Sequence, residues 1–61
     1  MTPLEILNVA LKREEEAYDF YEEMIKKHNS SAIEDILTKL KDSEYKHRKI
    51  IEDKISEIRS Q

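Results

Sequence analysis

Two apolar stripes of helical period run through this chain, and only His28-Asn29-Ser30-Ser31 separates them. In the first stripe Leu4, Leu7, Leu11, Tyr18, Tyr21 and Ile25 recur at steps of three and four, with Glu14 standing where an apolar residue is due. In the second, Ile33, Leu37, Leu40, Ile51, Ile55 and Ile58 recur in the same way around Glu44. Steps of three and four are the seam period of a helical bundle. A connection this short between two long helices requires an antiparallel hairpin.

Both helix starts are signposted. Thr2 suits the N-cap, Pro3 the first helical position, and Glu5 completes a capping box. Helix 1 is therefore expected over about residues 3–28. Asn29 suits a left-handed residue after the helix. Ser31 with Glu34 offers a second capping box, and Asp35 adds negative charge to the first turn. Helix 2 is expected over about residues 32–59, and residues 1–61 form one hairpin domain.

The two carboxylates are the anomaly. At about 100° per residue, the apolar residues of helix 2 fall within about 40° of Glu44, and His47 lies about 60° to one side. In helix 1 the stripe lies within about 60° of Glu14, apart from Leu4 at its edge, while Glu15 and Glu16 fall outside it on a solvated face. A second row, Ile6, Ala10, Ala17 and Met24, widens that face, and Phe20 lies further round. Folding the hairpin about residue 30 puts Glu14 level with residue 46, between Glu44 and His47. Three metal-capable side chains thus share one depth on inward faces. A Glu-x-x-His pair alone is weak evidence, since chance supplies one in roughly a third of chains of this composition. The shared depth strengthens it.

A charge buried among Ile and Leu needs a partner or a metal. Two readings follow. In one, Glu14, Glu44 and His47 hold metal. In the other they form a polar layer that sets bundle register in a non-catalytic oligomerisation or adaptor hairpin. Two helices cannot enclose a core, so either reading calls for a second copy and a four-helix bundle. Symmetry would then assemble four Glu and two His, the ligand inventory of bundle di-iron sites, and four carboxylates balance two divalent ions. Oxygen-rich ligands with imidazole suit iron, and manganese or zinc can take the same donors. Two dimers can associate further through the outer Phe20 row. His28 reads as an exposed imidazole at a helix C-terminus, and Tyr45 as a surface or inter-subunit residue.

Composition excludes several alternatives. Fourteen acidic and eleven basic residues are interleaved and give a net charge of −3, which opposes nucleic acid as a partner. Cysteine is absent, so the chain offers neither a thiolate zinc site nor an iron–sulfur cluster. No stretch approaches the apolar length of a membrane span, and a soluble, cytoplasmic, all-α protein is the expectation.

The stretch Glu14-Glu15-Glu16-Ala17-Tyr18-Asp19-Phe20-Tyr21 resembles the Glu-x-x-Ala-x-x-Phe-Tyr motif of the ferritin-like, rubrerythrin-type proteins. Leu37 through Glu44-Tyr45-Lys46-His47 resembles their Leu-x-x-Leu-x-x-x-Glu-x-x-His ligand helix. The resemblance covers most of the chain but only one hairpin, where family members usually carry four helices. It implies a half-length form that dimerises into a ferritin-like four-helix bundle. By resemblance Glu14, Glu44 and His47 map onto iron ligands, two irons per dimer, with Glu44 the candidate bridge. Tyr18 and Tyr21 would stand near or behind the ligands. The implied chemistry is that of a ferroxidase or peroxidase-type oxidoreductase. A Cys-rich electron-delivery module, usual in rubrerythrins, is missing from the sequence, so a peroxidase cycle would need an external electron donor. The shell-targeting extension of small encapsulated ferritins has no obvious equivalent in Ser56-Glu57-Ile58-Arg59-Ser60-Gln61.

Overall fold

A computed structural model describes residues 1–28 and 30–61. It contains two helices, α1 (Pro3–Lys27) and α2 (Ser31–Arg59), packed against each other along a rod of 47 × 17 × 12 Å. The reading of Asn29 as a left-handed residue falls outside the described residues.

Helix α1 begins with the expected capping box. Thr2 Oγ1 accepts from the Glu5 N–H at 3.1 Å, and the Thr2 N–H donates to Glu5 Oε1 at 3.3 Å. Removing the hydroxyl leaves an amide at the helix start without its partner. Thr2→Ala should therefore cost about 1 kcal/mol in chemical denaturation, and an unchanged midpoint would show the cap to be idle. At the other end His28 is extended, and its N–H donates to the Met24 carbonyl at 3.1 Å. Lys26 and Lys27 lie in the last turn, where positive charge complements the helix dipole. Lys27 also reaches Glu23 at 2.9 Å, and this hydrogen-bonded ammonium holds the Glu23 carboxyl below its ordinary pKa. His28 is exposed at the helix end, as the sequence indicates.

Helix α2 starts differently from expectation. Its N-cap is Ser30, whose Oγ accepts from the Ile33 N–H at 3.4 Å, and Ser31 is the first helical residue. With the cap one position earlier, the residue three places on is Ile33, which has no carboxylate to return the bond. Glu34 remains in the first turn and Asp35 falls beyond it. The helix closes at Ser60, whose hydroxyl donates to the Glu57 carbonyl at 3.0 Å.

Ile55 is the sole buried residue among those described. Leu7, Leu11, Tyr18, Tyr21 and Ile25 of α1, and Leu37, Ile51 and Ile58 of α2, are half-buried between the helices. Ile33 and Leu40 belong to the same stripe yet are exposed, as are Ile6, Val9, Phe20, Ile36 and Ile50. One helix pair covers only part of each stripe, because an apolar face this wide extends past a single line of contact.

Candidate metal centre

Glu14 sits at the middle of α1, and Glu44 and His47 at the middle of α2. Three residues on one helix separate side chains by about 300°, so Glu44 and His47 point to one side of α2. The antiparallel register brings Glu14 to their level. His47 Nδ1 lies 3.6 Å from Glu14 Oε2 and 3.8 Å from Glu44 Oε2. One donor atom from each of the three residues lies within 4.8 Å of the others.

These distances are too long for hydrogen bonds. Both His47 separations are within the roughly 4.2 Å that two atoms each about 2.1 Å from one ion can span, so His47 can share a cation with either carboxylate. Glu14 Oε2 is shut off from solvent and has no hydrogen-bond partner. A carboxylate oxygen in that position is costly unless a cation meets it. The Glu14 and Glu44 side chains are 23% and 18% exposed, whereas the His47 ring is 56% exposed. The group is therefore walled on the hairpin side and open at His47. Two carboxylates and an imidazole make a donor set suited to iron, manganese or zinc, so these residues fit a metal ion.

Both tyrosines lie between the helices. The Lys41 ammonium stands 5.6 Å from the centre of the Tyr18 ring, and Tyr21 meets Phe20 edge-on with ring centres 5.7 Å apart. Arg48, one turn after Glu44, has no part in the sequence reading. Its guanidinium lies 5.8 Å from the centre of the Tyr45 ring, and its Nε is buried, without a hydrogen bond, 3.9 Å from Glu52. Its position about 40° from Glu44, inside the stripe, was the available signal.

No helix of the described residues is long and apolar enough to cross a membrane. A family model described as Rubrerythrin matches residues 5–61, nearly the whole chain. Comparison with curated proteins and with solved structures gives no match.

Proposed function

The chain belongs to the rubrerythrin family, and we propose that it is a di-iron redox protein whose centre is completed by a second copy. The observation that carries this reading is the solvent-shielded, unpartnered Glu14 Oε2 facing His47 Nδ1 beside Glu44. Three donors are too few for two ions. Two hairpins supply four carboxylates and two imidazoles, and the carboxylate charge balances two divalent cations.

Two iron ions, when bound, would supply one electron each to reduce dioxygen or peroxide. The chain's part is to hold and shield. Glu14 and Glu44 offer their carboxylates from opposite helices, so the packing of α1 on α2 sets the spacing of the donors. His47 offers its imidazole at the open side. Leu11 and Tyr18 stand one turn from Glu14 and Ile51 one turn from His47, all half-buried, where they would limit water. A cytoplasmic setting suits this role, and a peroxidase cycle would draw electrons from an external donor.

The test is anaerobic loading with Fe(II), followed by dioxygen or peroxide, while ferric charge-transfer absorption is recorded. Saturation at about two irons per pair of chains, with an absorption lost in Glu44→Ala, supports the reading. Failure to bind stoichiometric iron favours the register-layer hairpin instead. Binding without oxidation assigns the site to another metal.

A further inference from the structure

Lys41, Glu44, Arg48 and Glu52 follow one another along α2 at steps of three and four, all half-buried, with charges that alternate. Measured from Glu44, Lys41 stands at about +60°, Arg48 at about +40° and Glu52 at about +80°. His47 stands at about −60°, so the two cations border Glu44 on the flank away from the imidazole. Lys41 is engaged elsewhere, with its ammonium over the Tyr18 ring of α1. Arg48 is the cation nearer the centre of the stripe.

Its Nε is shut off from solvent and makes no hydrogen bond among the described residues, although the side chain as a whole is 34% exposed. The root of the guanidinium is therefore turned inward while the rest reaches water. Its outer contacts do not cancel the charge. Tyr45 offers a ring face 5.8 Å away, and the Glu52 carboxylate stands 3.9 Å from Nε, beyond hydrogen-bond reach. Residues four apart on a helix hold their Cβ atoms about 5–6 Å from one another, so this charge is rooted beside Glu44. A guanidinium keeps its proton in a protein, which makes the charge permanent.

Such a charge acts differently with and without an ion. In the metal-free chain it offsets part of the repulsion between the Glu14 and Glu44 carboxylates. With a cation bound it repels that cation, a trivalent one more than a divalent one. We propose that Arg48 tunes the metal centre from outside the ligand set: it loosens the hold on the ion and raises the Fe(III)/Fe(II) reduction potential. The inference rests on the metal reading above and gives a role to a residue that the ligand pattern leaves out.

Three variants of the full chain separate charge from packing. Arg48→Gln removes the charge, and Arg48→Lys keeps it without the planar fork. Lys49→Gln makes the same change in net charge at an exposed position about 140° from Glu44. Zn(II) affinity is measured by competition with a chelating dye, and the potential of bound iron by reductive titration. Arg48→Gln should bind Zn(II) roughly tenfold more tightly. Its potential should fall by about 59 mV, the same factor in a one-electron couple. Arg48→Lys and Lys49→Gln should both stay close to the natural chain. The gain in Zn(II) affinity should shrink in about 1 M salt, where screening acts within about 3 Å, because Arg48 is partly exposed. Circular dichroism establishes that each variant is folded, and Arg48→Met replaces Arg48→Gln if that chain does not fold. An uncharged variant with unchanged affinity and potential overturns the proposal. So does a shift shared by Arg48→Lys, which would make the effect one of packing, or one matched by Lys49→Gln, which would make it one of net charge. A natural chain that binds neither Zn(II) nor iron removes the metal reading itself, and the role of Arg48 with it.

Discussion

Fe(II) added under argon should raise the unfolding midpoint of the metal-free protein by roughly 10–20 °C, and a chelator should reverse it. A ligand that binds only the folded state at a hundred times its dissociation constant stabilises by about 2.7 kcal/mol. In a domain this small, each kcal/mol moves the midpoint by about 4–8 °C. The double variant Glu14→Leu/Glu44→Leu should lose that shift entirely. Its metal-free midpoint should rise, because two carboxylates among Ile and Leu give way to apolar groups. Differential scanning calorimetry with and without Fe(II) reads both effects. A variant that unfolds earlier than the natural chain in the absence of metal would mean that the polar layer itself holds the bundle together, and the metal reading would lose its energetic basis.

Ile55→Ala should be the most damaging apolar truncation. Ile55 is the one buried residue among those described, at 7% exposure. Truncating a buried Ile costs about 2–5 kcal/mol, against a total stability of about 5–15 kcal/mol for ordinary domains. The metal-free variant should be largely unfolded near room temperature by circular dichroism. Ile50→Ala serves as the comparison. At 67% exposure its truncation should cost little. An Ile55→Ala chain that melts like the natural one would show that the α1–α2 seam contributes little to folding.

Much of this arrangement is legible from residue spacing. The alternating steps of three and four around Glu14 and Glu44 define two inward faces, and the short break fixes their antiparallel register. Counting from residue 30 then brings Glu14 to the level of Glu44 and His47. The Thr2 cap is equally plain, since Pro3 and Glu5 allow no competing register. The start of α2 is less determined because two adjacent serines compete. Spacing favours Ser31 with Glu34, but the backbone caps at Ser30, and the gain from a reciprocal carboxylate bond is too small to dictate the choice. Periodicity also marks Ile33 and Leu40 as apolar stripe without saying what covers them. That depends on the width of one helix contact, which a linear pattern does not contain. The buried Nε of Arg48 was hidden for a similar reason, because a guanidinium on a long stem can rest inside a seam or leave it.

On the function proposed above, the donors of Glu14, Glu44 and His47 on each hairpin would amount to half of a two-ion centre. Where chains are scarce relative to their mutual affinity, the number of complete centres would grow with the square of abundance. Doubling expression would then quadruple capacity, and dilution would silence the chemistry without damaging a single chain. Assayed over a dilution series, such a protein would lose specific activity steadily, a behaviour that a four-helix chain carrying the whole centre would not show.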